Sequence, residues 1–103
     1  MDRLAEQEIS EIIVRLIAST IPKDIEIRLN KLHNVIACLF DIGAEPRQFV
    51  KHNGTAALAA LIQYTGSSKL DVSVPTMDDR PRFDAWTRIY HRAARELVRM
   101  SSK

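Results

Sequence analysis

The pattern that most limits the fold of this chain is a pair of heptad-spaced rows of apolar residues. One row falls within residues 23–42 and the other within residues 80–100, and in both the apolar residues recur at spacings of three and four. The rows are Ile25, Leu29, Leu32, Ile36 and Leu39, and then Phe83, Trp86, Tyr90, Ala93, Leu97 and Met100. Because this spacing places the side chains on one helix face, each row predicts an α-helix that packs against other helices.

Three further helical segments complete the predicted architecture. Residues 3–19 place isoleucines and a leucine on one face, Pro46 begins a short helix, and residues 56–65 follow Thr55, a plausible cap. Each glycine falls at a predicted helix end, namely Gly43, Gly54 and Gly66. The sequence therefore predicts an all-α fold, a compact bundle of four to five helices that forms a single domain over residues 1–103.

The segment 67–80 lacks the helical period. Leu70, Val72 and Val74 alternate with polar residues, which is typical of a short strand. A connection of this length is long for so small a domain, and such loops often carry function. We therefore predict a long irregular loop over 67–80, in which Leu70, Val72 and Val74 contact a partner protein by adding a strand to its sheet edge.

Positive charge is concentrated in the last predicted helix. The chain has a net charge of +2, and residues 80–103 contain 7 basic and 2 acidic side chains. Four arginines form one row along the helix: Arg88, Arg92, Arg95 and Arg99. The row is compatible with a solvated face, an acidic protein partner or nucleic-acid phosphates, because guanidinium groups pair with carboxylates and phosphates alike. We predict that these arginines bind a partner.

Two acidic residues of the same helix have the spacing to pair with this row. Asp84 precedes Arg88 by four residues, and Glu96 follows Arg92 by four. Side chains four apart are neighbours on a helix surface, so both pairs are predicted to form ion pairs. Pairing of this kind would neutralise part of the row within the helix itself.

The helix predicted over residues 56–65 is apolar or small around most of its circumference, with the sequence AALAALI. Such a helix must be covered on all sides, either by the other helices of the chain or by a second chain. The alanines would allow close approach of another helix, and a two-fold homodimer is the commonest assembly. We predict a homodimer with Leu58, Leu61 and Ile62 at the interface.

Motifs for catalysis and cofactor binding are missing from the sequence. It contains no glycine-rich phosphate loop, no CxxC and no HExxH. The single cysteine, Cys38, excludes an internal disulfide and fits a reducing compartment. The charged N-terminus does not resemble a signal peptide, and the longest nearly apolar run is about half a membrane span. These features predict a cytoplasmic, non-enzymatic protein without catalytic, cofactor-binding or metal-binding residues.

Together these patterns favour a regulatory protein that acts by protein–protein interaction. The prediction is a homodimer that inhibits or sequesters a partner such as a transcription factor or an enzyme. The alternative is a nucleic-acid-binding module that uses the arginine row on backbone phosphates. Base reading by the helix after Asn53-Gly54 is disfavoured, because Gln63 is its only long polar side chain.

Overall fold

A computed structural model of the chain describes residues 3–41, 51, 54–67 and 80–101. Within these residues the backbone forms four α-helices and no strand: α1 (Arg3–Thr20), α2 (Ile25–Asp41), α3 (Gly54–Ser67) and α4 (Arg80–Ser101). The radius of gyration is 12.7 Å, close to the roughly 13 Å of a compact domain of this length. The predicted all-α bundle is confirmed.

Two predicted segments lie outside the described residues. One is the short helix that begins at Pro46, of which only Lys51 is described. The other is the connection 67–80, apart from its first and last residues, which belong to α3 and α4. Leu70, Val72 and Val74 lie in this second segment, so their contact with a partner stays a prediction.

One hydrophobic core joins all four helices. In α1, α2 and α4 most residues of the expected apolar rows point into it. The exceptions are Ile25, Leu29, Phe83 and Tyr90, which are only partly buried, and Met100, which is exposed. Ile89 lies outside the predicted row of α4, yet it is buried because α1 covers that side of the helix. The core cluster includes Ile9, Ile13, Ile17, Leu32, Val35, Ile36, Leu39, Leu58, Ile62, Trp86, Ile89, Ala93 and Leu97.

The turn between α1 and α2 is held by two polar side chains. The Asp24 carboxylate accepts hydrogen bonds from two backbone N–H groups in the first turn of α2, at 2.9 and 3.2 Å, which makes it the helix cap. The buried Arg28 guanidinium donates to one carbonyl oxygen in the last turn of α1, which lacks a partner within that helix, and to two in the turn that follows. The acceptors are Ala18 (3.1 Å), Ile21 (3.3 Å) and Pro22 (2.9 Å). Arg28 therefore fixes the angle between the helices.

Helices α1 and α4 lie side by side and run in the same direction. Glu6 contacts Arg88 near their N-terminal ends, whereas Ala18 and Met100 line one shared cavity near their C-terminal ends. Between these points the small, buried Ser10 donates a hydrogen bond to the Glu6 carbonyl oxygen at 3.0 Å and lies 3.4 Å from that of Ile89. The two backbones therefore approach each other closely at Ser10.

The ends of α3 differ slightly from the prediction. The helix begins at Gly54 and ends at Ser67, two residues before and two residues after the predicted bounds of 56 and 65, so that Gly66 lies just inside it. Helix boundaries commonly shift by one or two residues, because the terminal turns tolerate residues that disfavour helix interiors. None of the four described helices is both long enough and apolar enough to cross a membrane.

Candidate functional site

An open groove runs between α1 and α4 on the side of the arginine row; we call it the α1–α4 groove. It has a wide segment of ≈ 940 Å³ and a narrow segment of ≈ 350 Å³, which share Ser10, Arg92 and Arg95 in their walls. The walls extend over residues 6–19 of α1 and 87–100 of α4. At 1.5 Å per residue, the groove is about 20 Å long.

Short side chains form part of the α1 wall of the wide segment. On α1 its wall includes Val14, Ala18 and Ser19, and on α4 it reaches Met100. Larger side chains at these α1 positions would fill the space between the helices, as they do in a close-packed core. The segment therefore offers an apolar surface beside charged groups.

The narrow segment is bordered by an ion pair between the two helices. Arg88 Nε donates to Glu6 Oε1 at 2.8 Å, and Arg88 Nη2 donates to Glu6 Oε2 at 3.3 Å, a forked arrangement. The side chain of Glu6 is 8% exposed and that of Arg88 46%. The hydrogen bond to Glu6 raises the pKa of Arg88, and the charges of Glu6 and Asp84 add to the rise, while burial opposes it. This pair ties α4 to α1.

The predicted pairing within α4 is therefore replaced at this position. Asp84 forms its ion pair with Arg80, with 3.2 Å between Nε and Oδ1, and both side chains are exposed. Arg88 instead pairs with Glu6, 82 positions away in the sequence. The reason is that α1 packs beside Arg88 and places the largely buried carboxylate of Glu6 within hydrogen-bond distance of it.

At the wide segment, Glu96 pairs with Arg99. Arg99 Nε donates to Glu96 Oε2 at 3.1 Å, and Nη2 donates to Oε1. These hydrogen bonds lower the pKa of Glu96, with smaller contributions from the charges of Arg99 and Arg92, and they raise that of Arg99. The sequence predicted Arg92 as the partner of Glu96. Arg92 acts on Glu96 only through its charge in the described structure.

The two central arginines of the row differ from the outer two. Arg92 and Arg95 are exposed and line both segments, but neither forms a hydrogen bond or an ion pair with any described residue. Arg15 and Glu11 complete the charged lining from α1. Among the described residues, five arginines and three glutamates line the groove, which gives them a net charge of +2.

The three residues predicted at a dimer interface face the inside of the chain. Leu58 and Ile62 belong to the core cluster, and Leu61 is partly buried against it. The exposed side of α3 consists instead of Ala56, Ala57, Ala60 and Gln63. A dimer interface on α3 stays a prediction, and a second chain would contact these alanines first.

The α1 wall of the groove was not predicted from the sequence, although a signal for it exists. At 100° per residue, Glu6 and Ser10 fall on the same side of α1 as Ile9 and Ile13. Polar residues on an apolar helix face need hydrogen-bond partners when they are buried. Glu6 and Ser10 find those partners in α4 and in the backbone.

Other polar groups do not form a second site. Tyr90 has edge contacts with His33 and His91, at ring distances of 6.1 and 5.6 Å. Burial lowers the pKa of Lys31, and the indole nitrogen of Trp86 is buried without a hydrogen-bond partner in the described part of the chain. No cluster of three metal-ligating side chains occurs among the described residues. The α1–α4 groove is the candidate site.

Comparison with known proteins identifies no relative of this chain. No protein-family model, no curated protein and no solved structure matches the chain. The shape and the charges of the groove therefore carry the functional proposal.

Proposed function

We propose that this protein is a non-enzymatic regulator, a homodimer that binds another protein and inhibits or sequesters it. The observation that carries the proposal is the position of Arg92 and Arg95 at the centre of an elongated groove, where neither forms a hydrogen bond or an ion pair with a described residue. Guanidinium groups form forked hydrogen bonds with carboxylates and are weakly hydrated, which suits them to protein interfaces. An acidic segment of a partner protein would supply the missing carboxylates.

The composition of the groove favours protein over nucleic acid. Glu6, Glu11 and Glu96 lie in its walls, and their negative charges disfavour a nucleic-acid backbone, which carries a phosphate at every nucleotide, more than a protein segment with a few carboxylates. The apolar part of the wide segment matches a partner that carries apolar side chains. A protein segment satisfies both the apolar and the cationic parts of the surface.

Nucleic-acid binding is the second candidate, and the length of the arginine row favours it. From Arg88 to Arg99 the row rises about 16 Å along α4, enough to meet several phosphates. If all four arginines contact phosphates of duplex DNA, the logarithm of the binding constant should fall with the logarithm of salt concentration with a slope of about −3.6. A gel shift without binding at low salt would end this alternative.

The protein-binding proposal is tested by affinity capture from the native host with two charge-matched variants. Arg92→Gln/Arg95→Gln removes two positive charges from the groove, and Lys23→Gln/Arg80→Gln removes two exposed positive charges elsewhere. The wild-type protein and the second variant should retain the same partner, and the first should lose it. Equal capture by all three proteins would contradict the proposal.

Dimer formation has a test of its own. Sedimentation at tens of micromolar should give about twice the 11.7 kDa mass of the chain. Replacement of Ala60 by Glu on the exposed side of α3 should then shift the protein towards the monomer, because a buried charge without a partner is unfavourable. A monomer mass for the wild-type protein at this concentration would remove the homodimer from the proposal.

A further inference from the structure

The geometry of the groove points to the shape of its occupant, and we infer that it is an amphipathic, acidic α-helix of a partner protein. The inference rests on the proposed function and makes its partner specific. A groove about 20 Å long accommodates roughly 13 helical residues, close to the average helix of globular proteins. An open groove of this length between two parallel helices suits a third helix that packs along them.

The apolar contacts of this helix belong at the wide segment. Val14, Ala18 and Met100 line it, and Met100 is 39% exposed. A methionine at such a surface adapts its shape to the side chain that it meets. Helices bound in grooves insert apolar residues at spacings of three and four. We therefore place two or three apolar side chains of the occupant beside these residues.

The acidic contacts of this helix belong at the centre of the groove. Arg92 and Arg95 lie there and are three positions apart, so they occupy neighbouring places on the surface of α4. Arg88 and Arg99 already pair with Glu6 and Glu96. Carboxylates of the bound helix therefore contact Arg92 and Arg95, and acidic residues are not needed at the two ends of that helix.

The test uses a displayed library of random 16-residue peptides, selected on the wild-type protein. Enriched peptides should combine acidic and apolar residues at helical spacing and should become helical when bound, as measured by NMR. Their affinity should fall about tenfold on Arg92→Gln/Arg95→Gln, because two charge-assisted contacts are lost, and should be retained on Lys23→Gln/Arg80→Gln. Selected peptides without this spacing, or peptides that bind in an extended form, would overturn the inference.

A second pair of variants tests the groove without touching its charges. Ala18→Phe fills the wide segment, and Ser19→Trp at an exposed position of the same wall provides a variant that keeps the core intact. Either substitution should weaken peptide binding about tenfold, because the larger side chain occupies the space in which the apolar residues of the peptide are expected to bind. Unchanged binding to a folded Ser19→Trp protein would contradict a helix in the groove.

Competition separates the failure of this inference from the failure of the proposed function. A selected helical peptide should displace the partner captured from the native host. If capture depends on Arg92 and Arg95 but the peptide does not displace the partner, the helical occupant is wrong and the proposed function stands. If capture does not depend on these arginines, both are wrong. Displacement of the peptide by a DNA duplex at equal concentration would instead favour phosphates and overturn the inference.

Discussion

The two faces of α4 differ in how completely their side chains are packed or paired. On the apolar face, Trp86, Ile89 and Leu97 are buried completely by the other helices of the chain. On the opposite face, Arg88 and Arg99 have carboxylate partners, whereas Arg92 and Arg95 have none among the described residues. The apolar face therefore packs the helix into the core, whereas the middle of the arginine face leaves two guanidinium groups without a carboxylate partner among the described residues.

The largest effect should come from the apolar face. Leu97→Ala should lower the free energy of unfolding by about 2–5 kcal/mol, because it leaves a cavity where the side chain is 0% exposed. The neighbouring Val98→Ala is the control, since Val98 is 47% exposed, and it should cost less than about 1 kcal/mol. Urea denaturation measures both. Similar losses for the two variants would show that the core does not follow the described burial.

An intermediate effect should come from the ion pair between the helices. Glu6→Gln, Arg88→Gln and the double variant form a cycle whose coupling free energy isolates the pair. We expect about 1 kcal/mol, which is below the roughly 1.5–3 kcal/mol of a hydrogen bond to a charged group, because the Arg88 side chain is 46% exposed and solvent screens the pair. A coupling indistinguishable from zero would mean that Glu6 does not hold Arg88 to α1.

A small effect on stability is expected from the central arginines, although the proposal gives them the largest effect on binding. Arg92→Gln/Arg95→Gln should change the free energy of unfolding by no more than about 0.5 kcal/mol. Both side chains are exposed and form no hydrogen bond or ion pair with a described residue. Urea denaturation of this variant beside Lys23→Gln/Arg80→Gln provides the comparison. A loss as large as that of Leu97→Ala would show that these arginines are needed for folding, and would break the contrast between the faces.

The smallest effect concerns the titration of Glu96. Its pKa is lowered from an ordinary value of 4.5, mainly by hydrogen bonds from Arg99. The pair therefore contributes its stability above pH 4.5 and loses it as the pH falls through the lowered pKa of the folded state. In Arg99→Gln the pKa of Glu96, followed by NMR of the carboxyl carbon, should rise towards 4.5. The raised pKa of Arg88 brings no pH dependence near neutrality, because that arginine stays charged there.

Much of the fold could be predicted because helical periodicity is a local property. Ile9, Ile13 and Ile17 follow one another at four-residue spacing, and all three are buried as expected. In the row of α4, Trp86, Ala93 and Leu97 are buried as expected, whereas Phe83 and Tyr90 are partly buried and Met100 is exposed. Each row needs only its own helix to be recognised, so no knowledge of the packing between helices is required.

The partners of the arginines could not be predicted in the same way. The four arginines lie along one side of α4 as expected, but which carboxylate reaches each of them depends on the packing of another helix. Glu6 is 82 positions from Arg88, and no spacing within α4 reports on it. The sequence likewise does not distinguish Ala18 from other alanines in helices. Its place in the wall of the wide segment depends on the position of α4 beside α1.

The parallel course of α1 and α4 has a consequence for charge that the side chains alone do not reveal. The C-terminal ends of both helices lie at the wide segment, so their partial negative dipole charges accumulate at one place. Arg28 donates to the Ala18 carbonyl oxygen in the last turn of α1, and Arg99 lies in the last turn of α4. These two arginines offset the negative charge of the helix ends. Arg92 and Arg95 lie further from these ends, where the dipole charge acts on them less because its effect falls off within the last turn.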